Sequence, residues 1–550
     1  MDTLFTRHRA LLDKAVAALG NRGFWTPFPE VPSGKVYGET AREDGLAAYE
    51  ARLGTAFVLE GHPESDRVGA EVSPWGPALG ITYPAADAGT LVAASEAAGA
   101  AWAAAAPEVR VGLLIEALVR LNAVSFEMGN AVMHTTGQAF PMAFQAGGPH
   151  AQDRGLEAVA MAWAEMTRAP ATATWEKPQG KTAPIVLEKH WRVVPRGVAL
   201  VIGCQTFPTW NSYPGLFASL ATGNTVIVKP HPGATLPLAL TAAVLRDLLA
   251  EQGLPRDVVL LAADSVEAPV TQALVRHPSV AIVDYTGSNA FGAWVRANAG
   301  EAQVYTEEAG VNSIVIAGTD AFAAMCANVA FSLSLYSGQM CTAPQDIFVP
   351  KGGIETDEGR KSFDEVAVGI AAAVDSLLAD PARAAGVCGA IANPATLARV
   401  AAARGLGRIV RDSAPLAEGR GATPLIVAVD AADEPAYAEE RFGPIAFIVA
   451  VESADDGITR AADLARRKGA ITAAFYDTDE ARIIEAADAF ARAGVNLSVN
   501  LTGNIFVNQS AAFSDFHVTG LNPAGNASLT DAAFVAGRFA RAMWRRPVAA

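Results

Sequence analysis

Apolar and polar positions along the 550-residue chain change their period several times, and those changes divide it into regions. Between residues 198 and 300, short apolar runs alternate with longer stretches of helical period. Residues 198–203 read as a buried strand, 214–222 as a short helix closed by Gly223, and 225–228 as the next strand. A helix over 237–252, a strand over 258–261, a helix over 266–275 and a strand over 281–285 continue the series. Strand–helix units in succession predict a parallel, doubly wound sheet. After residue 310 the pattern restarts, with a strand over 312–316, a helix over 321–336 and a strand over 346–349. In that helix Phe322, Met325, Val329, Leu333 and Tyr336 fall at three- and four-residue steps, so one face is buried, and Gly338 supplies the stop. Residues 182–194 interrupt the alternation: they are β-prone with no helix between their halves, which predicts a hairpin arm. The first 180 residues are mostly helical and Ala-rich, including 91–105 and 111–125, and carry no chemical motif.

Length and composition narrow the class. A chain of 550 residues exceeds one ordinary core, so two or three lobes are expected. With 51% apolar and 18% charged residues it reads as an ordered globular protein. Forty-two basic against fifty-seven acidic residues give a net charge of −15, and no basic stripe runs along the chain, which argues against nucleic acid as a partner. Arg538, Arg541, Arg545 and Arg546 form the one dense basic cluster and are expected on a solvated or subunit-facing surface. Met1 begins a polar segment without the order of a secretion signal, and no apolar run reaches membrane-spanning length, so no membrane association and a cytoplasmic address are expected.

The four cysteines, Cys204, Cys326, Cys341 and Cys388, are scattered, with no CxxC pair and no neighbouring His at metal-ligand spacing, so no metal site is expected. Three of them read as small buried hydrophobes. Cys341 differs, because Gly338-Gln339-Met340 places it on a loop just after a helix. A helix C-terminus does not stabilise a thiolate, so something else must. Glu307 stands thirty-four positions upstream, at the end of the β-prone Gln303-Val304-Tyr305-Thr306. A thiol and a carboxylate are the two groups needed to form a thioester and then hydrolyse it. Alternation along a strand lets only one of Glu307 and Glu308 face the thiol, and the residues alone do not choose. Thr286-Gly287-Ser288-Asn289-Ala290-Phe291-Gly292 joins a strand to a helix, where backbone amides can meet a phosphate. Lys229 ends a strand at the edge where open α/β sheets bind ligands. Glu440-Arg441-Phe442-Gly443-Pro444 combines a carboxylate suited to ribose hydroxyls with an aromatic ring and a rigid turn.

From about residue 90 to at least 525 these motifs resemble the aldehyde dehydrogenase superfamily. Gly338-Gln339-Met340-Cys341 resembles its nucleophile motif, and the spacing back to the general base selects Glu307 over Glu308. Glu440-Arg441-Phe442-Gly443-Pro444 resembles the Glu-x-Phe-Gly-Pro cofactor motif, and Tyr285-Thr286-Gly287-Ser288 with Gly292 the Phe-Thr-Gly-Ser turn. Residues 221–230 resemble the second cofactor strand, with Lys229 at the adenosine ribose. The resemblance implies an α/β fold of two doubly wound parallel-sheet domains plus a β-hairpin oligomerisation arm. Residues 1–181 and 196–308 would bind the dinucleotide, 309–525 would carry the thiol, and 182–195 with 526–550 would join subunits into a homodimer or a dimer of dimers.

Two departures bear on chemistry. Where many members have Asn-Phe-Pro, with the Asn donating to the oxyanion, this chain has Thr206-Phe207-Pro208, which leaves Thr206 or Asn211 as the donor. Where NAD-preferring members often carry Glu, it has Pro232, next to His231, which removes an obstacle to a 2′-phosphate. NADP is expected, with NAD as the alternative. Residues 511–520, Ala-Ala-Phe-Ser-Asp-Phe-His-Val-Thr-Gly, and 522–527 depart from the common Pro-Phe-Gly-Gly segment and resemble the phenylacetic-acid-degradation (PaaN-type) branch. That branch implies oxidation of a CoA-linked semialdehyde to the acid. The competing readings are a CoA-acylating dehydrogenase, against which Glu307 argues, and a non-catalytic scaffold of the same fold.

Overall fold

The computed structural model describes residues 3–308 and 310–548. The first sheet has five parallel strands, in the spatial order Val259–Leu261, Thr225–Lys229, Val198–Ile202, Val280–Thr286, Gln303–Glu307. Every residue of Val198–Ile202 and Thr225–Lys229 is buried, because helices cover both faces, and this is why Val198–Ile202 and residues 226–228 are continuous apolar runs. The chain winds outward from Val198–Ile202 on one side, then returns to add Val280–Thr286 on the other. That reversal opens a crevice outside the carboxyl ends of the strands.

The second sheet has seven strands, in the order Arg408–Arg411, Leu425–Asp430, Ile445–Val451, Pro344–Pro350, Asn312–Ile316, Thr472–Tyr476, Asn496–Val499. Only the edge strand Arg408–Arg411 is antiparallel. N-terminal helices, among them Ala88–Ala104, Pro107–Ala123 and Pro149–Thr167, share one apolar core with the first sheet. No helix among the described residues is long and apolar enough to cross a membrane.

Five local expectations need correction. The helix expected over 266–275 is confined to Thr271–Val275. The helix expected over 214–222 begins at Pro208 and runs to Ala221, with Pro208 in its first turn and Pro214 inside it. Residues 182–195 are not a hairpin but one strand, Thr182–Pro195. It pairs with Thr172–Gln179 across a turn at left-handed Gly180 (φ 66°) and with the C-terminal strand Phe539–Pro547. The helix expected over 321–336 ends at Ser334, after which Tyr336, Ser337 and Gly338 all take left-handed conformations (φ 51°, 50° and 62°). Tyr336 is still buried, as its place on the apolar face required. Finally, Arg538 is not on the surface: it is fully buried, its Nη1 donates to Asp284 Oδ2 at 2.8 Å, and its guanidinium stacks over Phe534 and Tyr305. Arg541, Arg545 and Arg546 remain exposed along the arm.

Candidate active site

A cavity of about 750 Å³ lies between the carboxyl edge of the first sheet and the loops that enter the second. Cys341 lines it from the loop between the turn at Leu335–Gly338 and the strand Pro344–Pro350. Asn312 anchors that loop: its Nδ2 donates to Cys341 O (2.8 Å) and Ala343 O (3.0 Å), while its Oδ1 accepts from Ile471 N and Thr472 N. Gly338 is required where it is, since a Cβ there would press on the Gly443 carbonyl. The two motifs that are a hundred residues apart in the chain thus touch through their glycines.

Glu307 ends the strand Gln303–Glu307 and is 2% exposed. Its Oε2 accepts from Asn211 Nδ2 (2.7 Å), and its Oε1 lies 3.0 Å from His517 Nε2. Burial raises its carboxyl, but His517, Cys341 and Asn211 outweigh that and hold it below the ordinary glutamate value. Glu308 also borders the cavity, but its carboxylate is paired with Arg296 and packed over Gly292, and the Cys341–His517 cluster takes in Glu307 instead. Enclosure, and then the Glu307 charge, push the half-buried Cys341 thiol well above the ordinary cysteine value. His517 Nε2 is 3.8 Å from Cys341 Sγ, so one ligand-type atom each from Glu307, Cys341 and His517 falls within a 4.8 Å span. No spacing rule pointed to His517, which stands 176 residues from the thiol.

Of the two expected oxyanion donors, Asn211 sits in the first turn of Pro208–Ala221 with one amide hydrogen given to Glu307. Thr206 also lines the cavity, but its hydroxyl points to Cys204 Sγ (3.9 Å). Cys204 is not the buried hydrophobe expected: it lines the cavity, and its thiol donates to Asn211 Oδ1 at 3.5 Å. Cys326 and Cys388 are buried.

The far end of the cavity holds Lys229, whose Nζ is 2.7 Å from Asp264 Oδ1. Burial lowers the ammonium and raises the carboxyl, each opposed by the other's charge. His231 borders this end on its exposed rim. Gly287 and Ser288 line the middle, where Ser288 caps the helix Asn289–Asn298; a side chain at Gly287 would collide with the Tyr285 ring. Gly292 does not reach the cavity. Glu440 and Phe442 line the end near Cys341. Burial pushes Glu440 up to about 7, against the Gly310 N–H and the Arg399 charge. Phe442 is held in a left-handed conformation (φ 37°) by Arg399, which donates to its carbonyl at 2.9 Å. Small residues at the Gly287–Ser288 turn, a helix N-terminus and carboxylates along the cavity fit an extended dinucleotide.

Two parallel sheets joined across such a cavity, with a thiol and a buried carboxylate at one end, define a class, and the family model agrees: residues 78–526 match the aldehyde dehydrogenase family, and the chain belongs to it. It has the α/β aldehyde dehydrogenase fold. A crystal structure of an NAD-dependent aldehyde dehydrogenase from Burkholderia multivorans is similar over 100% of this chain and 99% of that one, at 53% identity and a TM-score of 0.98. N-succinylglutamate 5-semialdehyde dehydrogenase of Burkholderia mallei (strain SAVP1) is 31% identical over 280 residues, 49% of this chain. The match spans 55% of that relative's length. Thermus thermophilus 1-pyrroline-5-carboxylate dehydrogenase covers 96% of this chain and 99% of its own at 20% identity (TM-score 0.75), a likeness of fold alone.

Proposed function

We propose that the chain oxidises a semialdehyde to the carboxylic acid with NAD, through a thioester at Cys341 that water hydrolyses. The observation that carries this reading is the buried Glu307 carboxylate, held within one 4.8 Å cluster with the Cys341 sulfur. A CoA-acylating enzyme has no use for such a base. Cys341 attacks the carbonyl carbon, and the oxyanion is held by the Cys341 backbone N–H and by the second amide hydrogen of Asn211, with Thr206 the alternative donor. Bound nicotinamide supplies the acceptor for the hydride. Glu307 then takes a proton from water, whose oxygen displaces the thiolate.

Lys229, His231, Gly287, Ser288, Glu440 and Phe442 are assigned to cofactor binding. Pro232 alone favours NADP, but the Asp264 carboxylate beside Lys229 returns a negative charge to that end of the cavity and repels a 2′-phosphate. The relative from Burkholderia multivorans is likewise described as NAD-dependent. For the substrate, the PaaN-type resemblance of residues 511–527 favours a ring-opened, CoA-linked semialdehyde, while the Burkholderia mallei relative is named for N-succinylglutamate 5-semialdehyde. The arm leaves Trp175, Ile185, Met543 and Trp544 exposed and is assigned to subunit contact.

The test is an assay of NAD and NADP reduction over free and CoA-linked semialdehydes, with product analysis in the presence and absence of CoA. Reduction of NAD with release of free acid supports the proposal. An acyl-CoA product formed only when CoA is added, or no turnover with any member of the panel, refutes it. Asp264→Asn should improve NADP use relative to NAD.

A further inference from the structure

We propose that His517 is a catalytic residue, donating its Nε2–H to whichever of Glu307 and Cys341 carries the negative charge. The inference rests on the thiol-and-carboxylate reading above and adds a third partner to it. His517 Nε2 lies 3.0 Å from Glu307 Oε1 and 3.8 Å from Cys341 Sγ, so a single N–H reaches both. A nitrogen this close to an ionised carboxylate must carry the hydrogen. Nδ1 is enclosed without a partner among the described residues, which fits a bare lone pair better than an orphaned donor. The hydrogen on Nε2 therefore stays in place through both steps.

The exchange balances. In the resting cluster the thiol is protonated, Glu307 is ionised, and Nε2–H donates to Oε1. As the nucleophile forms, the S–H bond breaks and its proton goes to Glu307, while Nε2–H turns to the thiolate sulfur. Once the thioester is made, Glu307 releases that proton to solvent and recovers the hydrogen bond. When water attacks, Glu307 takes the water proton, and Nε2–H is again present for the departing thiolate. The cluster's charge stays constant during each internal transfer, which suits a site where Glu307 and His517 are both 2% exposed. This answers what favours the thiolate on a loop with no helix N-terminus.

The fold holds His517 in place from several sides. Its carbonyl accepts from Leu529 N, its ring meets the Trp210 edge (centroids 4.7 Å), and Val518 after it is left-handed (φ 61°). Farther back, the buried pair Arg154–Glu157 on Pro149–Thr167 spends its hydrogen bonds on this segment. Arg154 donates to Asp515 O (3.1 Å), and Glu157 accepts from Phe513 N (3.0 Å). A residue needed only for packing would not require its tip to be aimed between two reacting groups.

The test compares His517→Phe, His517→Asn and His517→Gln in the full chain, since the Gln amide nitrogen can occupy the Nε2 position and the Asn nitrogen cannot. The first readout is the rate of Cys341 alkylation by iodoacetamide against pH, followed by mass spectrometry, which needs no aldehyde turnover. Loss of a donor to a charged group should slow alkylation near neutral pH by about ten- to a hundredfold in the Phe and Asn variants. The Gln variant should recover most of it. The second readout is the burst of NADH, expected to fall by about 10²–10³-fold in the same two variants. Equal alkylation profiles for Gln and Asn, or a Phe variant matching wild type, would overturn the proposal. If Phe fails to fold, the Gln–Asn comparison decides. Alkylation that depends on His517 without aldehyde oxidation would sink the proposed function and leave this inference standing; oxidation without that dependence would do the reverse.

Discussion

Replacing Gly338 with Ala tests whether the nucleophile loop and the cofactor motif are held as one unit. Gly338 has φ 62°, where an L-residue with a Cβ costs about 1–2 kcal/mol. The added Cβ would stand 2.8 Å from the Gly443 carbonyl carbon and closer still to its oxygen. Ordinary carbon–carbon contact is about 3.5–4.0 Å, so one of the two backbones must move by about 1 Å. Neither has slack. Tyr336 and Ser337 are already left-handed, the Cys341 carbonyl is tied to Asn312, and Arg399 grips the carbonyls of Arg441 and Phe442. Misplacing a reacting group by 1 Å costs about 10²-fold in rate. We expect kcat to fall by roughly that factor and KM for the dinucleotide to rise with it, because Gly443 adjoins Phe442, while folding survives. Steady-state kinetics at saturating aldehyde, together with circular dichroism, check this. A Gly338→Ala enzyme with kcat and cofactor KM within twofold of wild type would refute the reasoning.

Glu307→Gln can take neither the Cys341 proton nor a water proton, so both the NADH burst in stopped-flow and steady-state turnover should fall, turnover by about 10²–10⁴-fold, and wild-type burst kinetics in this variant would contradict the proton route. Arg538→Ala leaves the Asp284 carboxylate buried and unpaired, and should destabilise the fold by about 3–5 kcal/mol in urea denaturation, whereas Arg541→Ala on the exposed arm should change little. Glu440, raised by burial to about 7, is neutral below that pH and ionised above it, and only the ionised form accepts strongly from ribose hydroxyls. NAD affinity should therefore strengthen as pH rises through about 7, by up to about tenfold per unit below it, and calorimetric titration of Glu440→Gln should show a flatter profile.

Much of the architecture is legible from local pattern. A strand buried on both faces reads as an apolar run, so Val198–Ile202 and residues 226–228 declare themselves. At element boundaries tertiary packing overrides the local signal. Pro214 suggested a helix start but sits inside Pro208–Ala221, and the strand Thr182–Pro195 finds its partners on either side of it in the chain rather than within itself. Arg538 resembled its exposed neighbours in sequence and was separated from them only by Asp284, 254 residues away.

The sequence by itself determined the strand–helix alternation, a loop thiol, and the carboxylate pair Glu307 and Glu308 upstream of it, between which only a family resemblance chose, because period and short-range motif are properties of neighbouring residues. Tertiary structure alone decided that Asn211 and His517 converge on Glu307, that Asn312 anchors the Cys341 loop, and that Asp264 faces Lys229. Each of these contacts joins separate segments, and a hydrogen bond across such a separation leaves no periodicity in the chain that makes it. The charge balance of the cluster is a property of the folded cavity, where low solvent access makes a single N–H decisive.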